Sequence, residues 1–188
     1  MDLYTIGHSD RSIDEFVSVL KAHSIHVLLD IRTYPNSRFV PHFNGEALKQ
    51  TLSDAGIQYV WLKILGGRRK RENLNSPNTG LRSLSFRNYA DYMLTDSFKQ
   101  GIQELLGYAG LSRTAYMCAE HVYFRCHRML VSDWLVLHGH RVLHIEGVGP
   151  VKTHGPLAEA QLINGQVMYP PTRAQHWDFR TIDKKLDR

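Results

Sequence analysis

Apolar positions in this chain fall into short runs whose period changes repeatedly. Leu3–Ile6 is an apolar stretch ending at Gly7-His8-Ser9, and it predicts a first strand. Ser12 and Glu15 then form a capping box, after which Ile13, Phe16, Val17 and Leu20 recur at helical spacing. The near-continuous apolar run from Ile25 to Ile31 predicts a strand buried on both faces, with Asp30 and Arg32 at its exit. A polar loop from Thr33 to Asn44 holds two prolines. Next come a helix over 45–55 stopped by Gly56, a strand over 57–62, and a mobile loop over 63–84. A long helical region spans about 86–109, broken near Thr95–Ser97. A strand over 114–118, a turn, a helix over 127–138 and a strand over 141–145 follow, and Gln166–Tyr169 predicts a last edge strand.

Strands alternating with helices predict an α/β fold: one three-layer domain with a mostly parallel central sheet flanked by helices on both faces. The domain is expected to span 1–188, with a core over about 1–148 and a C-terminal extension over 149–188. Ligands in such folds bind beyond the carboxyl ends of the strands. That rule places His8-Ser9, Asp30–Arg32 and the segment after Met117 on one rim, although they are far apart in sequence.

Composition narrows the classes. No stretch approaches the roughly 20 apolar residues needed to cross a bilayer, and the N-terminus is too polar and short for a signal peptide. With only two cysteines and no secretion signal, the expected compartment is a reducing cytoplasm and the thiols are expected free. The net charge of +5 is concentrated in Arg68-Arg69-Lys70-Arg71, which reads either as a solvated loop or as a phosphate-tracking nucleic-acid patch. Tyr34, Phe39 and Trp61 lie in or near basic segments and are candidates for base stacking.

Both cysteines sit in one segment, Cys118-Ala-Glu120 through Cys126-His127-Arg128, where a strand gives way to a helix. Such a turn aims backbone N–H groups and the positive helix end at one point, favouring anions and thiolates. Cys118 is therefore a candidate nucleophile, or else a buried strand-end cysteine. Cys126 reads as a packed helix-start residue rather than a resolving thiol. Glu120 is a candidate acid–base group, or a partner holding Arg128 or Arg32. Asp30 and Arg32 share one strand face, as an acid–base group beside an anion clamp or as a structural ion pair. His8 is a candidate proton shuttle or a strand-end hydrogen-bonding group. Ser37, Arg38, His127 and Arg128 complete the candidate anion-binding set. A metal centre using Cys118, Cys126 and a histidine makes chemical sense, but seven intervening residues is not a usual zinc spacing, so neither metal nor cofactor is expected.

These same motifs resemble the family called domain of unknown function 488. Thr5–Ser9 is similar to its opening motif, and Asp30–Arg38 with Phe43-Asn44 to its second. Leu65–Gly67 and Tyr89–Met93 are similar to its middle, Cys118-Ala-Glu120 with Cys126-His127-Arg128 to its signature, and Tyr169-Pro170 to its tail. Where that family more often has an Asp-Pro-like turn, this chain has His121–Arg125. The resemblance implies a fold and a site, with Ser37 and Arg38 leaning towards ligand contact, and no particular reaction. A weaker similarity to rhodaneses and their phosphatase relatives rests on the order Asp-Ile-Arg, strand–Cys–loop–Arg–helix, and Ile145-Glu146-Gly147. It departs from their spacing, since six residues separate Cys118 from Arg125.

The leading expectation is an enzyme on an anionic, phosphate-bearing or nucleic-acid substrate, with Cys118 as nucleophile or Asp30 and Glu120 as an acid–base pair. A non-catalytic nucleic-acid-binding module is the second, and a metal-dependent hydrolase using the cysteines and a histidine the third.

Overall fold

The computed structural model describes residues 1–171. In chain order they form β1 (Asp2–Gly7), α1 (Ile13–Ala22), β2 (Val27–Asp30), α2 (Gly45–Asp54) and β3 (Gln58–Trp61). Then follow α3 (Leu84–Tyr92), α4 (Asp96–Leu111), β4 (Thr114–Cys118), α5 (Arg128–Leu137) and β5 (Arg141–Ile145). The short strands β6 (Lys152–Thr153), β7 (Gln161–Ile163) and β8 (Gln166–Met168) close the described chain. The main sheet has the order β3-β2-β4-β1-β5-β6, parallel throughout except for β6.

Alternation along each central strand sorts its side chains between two cores. Tyr4, Ile6, Leu28, Ala115 and Met117 pack with α1 and α2 residues such as Phe16, Leu20 and Leu48. Leu3, Leu29, Tyr116 and Val142 face the other side, towards Tyr89, Phe98, Leu105 and Leu130 of α3, α4 and α5. Both faces of the sheet are thus covered, as near-continuous apolar strands require. The helix ends follow local chemistry. Ser12 Oγ accepts the Glu15 N–H at the start of α1, and Thr95 caps α4 where the long helical pattern breaks. Gly56, at φ +76°, ends α2 in the left-handed region.

Two expectations change. Residues 166–168 do form a strand, but they pair with β7 in a separate hairpin; the main sheet's edge is β6, two residues too short to read from a pattern. The segment 63–84, expected to be a mobile loop, is irregular in backbone yet anchored. Arg69 donates to the carbonyls of Gly66 (2.9 Å) and Ile64 (2.6 Å) and lies 3.4 Å from the Tyr92 ring centroid. Asn78 is buried and accepts the Tyr169 N–H at 2.9 Å.

A buried polar chain fastens the segment after β5 to α5. Asp133 Oδ1 accepts from His154 Nε2 (2.7 Å) and the Leu157 N–H (3.2 Å), and Oδ2 accepts from the Tyr169 hydroxyl (2.9 Å). His154 Nδ1 meets His144 Nε2 at 2.9 Å, and Tyr123 stacks on His144 with centroids 3.6 Å apart. The extension is tied in as far as Tyr169; its remainder beyond Pro171, 172–188, lies outside the described residues.

Candidate active site

The parallel strands β1, β2 and β4 end side by side, with Gly7 opposite Cys118 and Asp30 opposite Met117. The backbone then continues the pairing past the strands. The His8 N–H donates to the Cys118 carbonyl (3.0 Å) and the Ser9 N–H to the Ala119 carbonyl (2.9 Å). Ser9 does so at φ 53°, a left-handed conformation uncommon outside glycine. A Cβ at Gly7 would stand 1.9 Å from the Glu120 oxygen, so only glycine lets the turn lie against β1.

From the other side the turn is held by Arg128. Its side chain is fully buried and donates to the Thr5 hydroxyl (3.2 Å), the His121 carbonyl (3.2 Å) and the Glu120 carbonyl. This arginine was expected to bind a ligand anion; the contacts found run to the Thr5 hydroxyl and to the backbone of the turn, and it does not line the cleft described below.

Held in this way, the turn brings Cys126 back beside Cys118. The two sulfurs and His127 Nδ1 lie within 4.8 Å of one another, with Nδ1 3.9 Å from Cys118 Sγ and 3.4 Å from Cys126 Sγ. His127 Nε2 is 3.0 Å from the Ile31 carbonyl, which can only accept. Nε2 therefore carries the proton, and Nδ1 is left to face the sulfurs. Gly67 passes so close that a Cβ there would stand 2.3 Å from Nδ1. Among the described residues this is the one group of three side chains placed to hold a metal ion.

The thiols are not equivalent. The hydrogen bond to Cys126, with burial, pushes the Cys118 thiol up to about 12. That same bond and the Arg128 guanidinium draw Cys126 down to about 6. Of the two thiols the more acidic is therefore Cys126, beside the helix start. Cys126, read from sequence as a packing residue at the helix start, is buried and lies beside Cys118 and His127.

The polar groups on the neighbouring strands have other duties. Asp30 is fully buried and takes two contacts from Arg32 Nε (2.9 and 3.0 Å), one from Nη2 (2.5 Å) and one from the Tyr59 hydroxyl (2.7 Å). The structural ion pair is the arrangement found. The other reading of Asp30, an acid–base group, has less support, because its oxygens are engaged by Arg32 and Tyr59 and it does not line the cleft. Arg32 does reach the cleft, but Nη2 also donates to the Phe43 carbonyl and Nη1 lies 3.1 Å from His8 Nε2. His8 spends Nδ1 on the Ser9 carbonyl at 2.7 Å, and burial together with the Arg32 charge lowers it to about 4. Both ring nitrogens are engaged, the arrangement of a strand-end hydrogen-bonding group, and the residue also lines the cleft described below.

His8 and His144 make stability fall in mild acid. His144 drops to about 3 through burial and the neighbouring His154 and Arg128. Below the ordinary histidine value of about 6.5 the unfolded chain binds protons that both folded histidines refuse. Their contribution is complete above that pH and is lost as pH falls through the window towards about 4. Urea unfolding should show a loss of about 2 kcal/mol per histidine between about pH 6.5 and 5, above the main carboxylate range. A flat profile over that interval would contradict the burial of these rings.

Above the sulfurs opens a cleft of about 930 Å³. Glu120 stands at its edge with an exposed carboxylate whose contact is the Val122 N–H at 3.4 Å; the Glu120 backbone, rather than the side chain, meets Arg128. Arg68 and Arg125 are exposed cations on its wall, and Tyr34 (63% exposed) and Phe39 (97%) face it from the loop after β2. Ser37 lines the cleft, but its hydroxyl accepts the Phe39 and Val40 N–H groups at 3.2 Å and shapes that loop. Arg38, Lys70 and Arg71 are exposed and do not line the cleft, and Arg69 is packed on Tyr92. Of the four-residue basic run, only Arg68 reaches the site. Sequence reasoning missed Tyr59, the Ile31 carbonyl and Gly67. The Gly66-Gly67 pair was the visible signal for the last, since adjacent glycines before a basic run mark a close backbone approach.

Compared with known proteins, the chain matches the family described as "Domain of unknown function DUF488" over residues 12–135, which includes the Cys118–Arg128 turn. No curated protein and no solved structure matches it.

Proposed function

We propose that this chain, which belongs to the DUF488 family, is a thiol-dependent enzyme acting on an anionic, phosphate-bearing or nucleic-acid substrate. The observation that carries the reading is the chain Cys118 Sγ–His127 Nδ1–Nε2–Ile31 carbonyl on the cleft floor. It supplies a nucleophile, a base and a group that orients the base, in hydrogen-bonding sequence. His127 Nδ1 takes the Cys118 proton as the sulfur bonds to an electrophilic phosphorus or carbon. The leaving group departs with its electron pair and takes a proton from the imidazolium or from Glu120 at the cleft edge. Water then cleaves the thioester-like or thiophosphate intermediate, or a second acceptor does so, giving a hydrolase or a transferase. Arg68 and Arg125, with the positive end of α5 beneath the cysteine pair, favour a negatively charged substrate.

Iodoacetamide labelling followed by mass spectrometry tests this without knowing the substrate. In Cys126→Ser, which removes the partner that raises the Cys118 thiol, Cys118 should alkylate faster than glutathione at neutral pH, and adding His127→Gln should slow it about a hundredfold. A Cys118 that reacts more slowly than glutathione in Cys126→Ser would sink the nucleophile.

A second reading, a nucleic-acid-binding module, is favoured by the nearly full exposure of Phe39 beside Tyr34 and Arg68. It differs from the enzyme in needing neither sulfur.

A further inference from the structure

The three groups on the cleft floor have a geometry that covalent chemistry alone does not require. A tetrahedral centre with metal–sulfur bonds near 2.3 Å and a metal–nitrogen bond near 2.05 Å has S···N edges of about 3.5 Å and an S···S edge of about 3.8 Å. The observed S···N separations, 3.9 and 3.4 Å, bracket the first value, and all three ligand atoms lie within 4.8 Å. His127 is also set up as a metal ligand is. The free Nδ1 points at the sulfurs, while Nε2–H is fixed to the Ile31 carbonyl, so ring rotation and tautomer are settled in advance. Cys118, Cys126 and His127 all line the cleft, so a tetrahedral ion held by them would have its fourth position for a ligand from that cleft.

We propose that Cys118 Sγ, Cys126 Sγ and His127 Nδ1 form a three-ligand site for a soft divalent cation of the zinc class, whose occupancy switches the thiol enzyme off. The inference rests on the reading of Cys118 as nucleophile and adds its regulation. Both sulfurs bind as thiolates, so loading releases the remaining thiol protons to solvent, and no electron is transferred. The sulfur lone pair that would attack substrate becomes a metal–sulfur bond, and His127 Nδ1 ceases to be a base. Removing the ion restores both. Thiolate and imidazole donors select zinc, cadmium or cobalt over magnesium or calcium.

The test is a titration of the full-length, chelator-treated protein with Co²⁺ and Zn²⁺, reading absorbance, proton release and iodoacetamide labelling together. One Co²⁺ per chain should produce thiolate-to-cobalt charge transfer and the visible bands of a tetrahedral ion, and Zn²⁺ should displace it. Either metal should suppress labelling of both cysteines, and a chelator should restore it. Cys126→Ser and His127→Gln should each weaken binding about a hundredfold or more while preserving the circular dichroism spectrum. The absence of a thiolate–cobalt band in the wild type, or binding that both variants retain, would overturn the metal site. The two readings fail separately. Metal-free thiols slower than glutathione, with the cobalt band present, remove the nucleophile and the switch but leave the site. Fast labelling that saturating Zn²⁺ leaves unchanged removes the switch and leaves the nucleophile.

Discussion

Arg128→Met is expected to cost about 3 to 5 kcal/mol of folding stability and to slow alkylation of the cysteine pair together with it. The methionine fills most of the volume, so the loss is polar. Arg128 reaches three oxygens, on Thr5, Glu120 and His121, and two of them belong to the backbone of the turn joining Cys118 to Cys126. Without the guanidinium the buried Thr5 hydroxyl and the two part-buried carbonyls lose this donor, each costing up to about 1 to 3 kcal/mol. The charge matters as well, because Arg128 helps to hold Cys126 down near 6. Guanidinium-chloride unfolding gives the stability, and labelling kinetics in native buffer give the reactivity. Arg128→Lys separates the two effects: it keeps a cation near Cys126 but cannot bridge three oxygens, so labelling should recover more than stability does. A loss below about 1 kcal/mol for Arg128→Met would mean that the turn is held by its other contacts.

The second large effect lies away from the cysteines. Asp133→Ala should destabilise the fold by about 3 to 5 kcal/mol, because a single carboxylate serves three buried donors. Those donors are His154 Nε2, the Leu157 N–H and the Tyr169 hydroxyl, and they belong to the segment that returns over α5 after β5. Tyr169→Phe removes one donor and leaves the carboxylate paired with the other two, so its cost should be nearer 1 kcal/mol. Limited proteolysis locates the damage: cleavage should appear between 146 and 171 in Asp133→Ala before the parallel sheet opens. Equal costs for the two variants would contradict a network centred on Asp133.

How far the sequence could be read depends on the distance over which each feature is decided. The strand–helix alternation, the capping box at Ser12 and Glu15, the stop at Gly56 and the break at Thr95 are settled within a few residues, and the structure has each of them. The strand β6 could not be read, because two exposed residues carry no period. Among charged groups, residue type identified Asp30, Arg32 and Arg128 as important but not what they face. Asp30 and Arg32 turn to each other, and Arg128 turns to the backbone of its own turn, because a buried charge must find its partner inside the protein.

The sequence by itself determined the α/β class and the family, and it singled out the turn after the 114–118 strand as the candidate site. Backbone propensity, hydrophobic period and residue identity are local quantities, and these conclusions need nothing more. Only the tertiary structure decided which groups lie together. Seven residues separate Cys118 from Cys126, a spacing that suggests no metal or dithiol motif until Gly7 and Arg128 draw the turn closed. His127 acquires its orientation from a carbonyl on β2's exit, ninety-six residues earlier in the chain. A hydrogen bond or an approach within 4.8 Å depends on where two backbones lie in space, and chain separation carries no record of that.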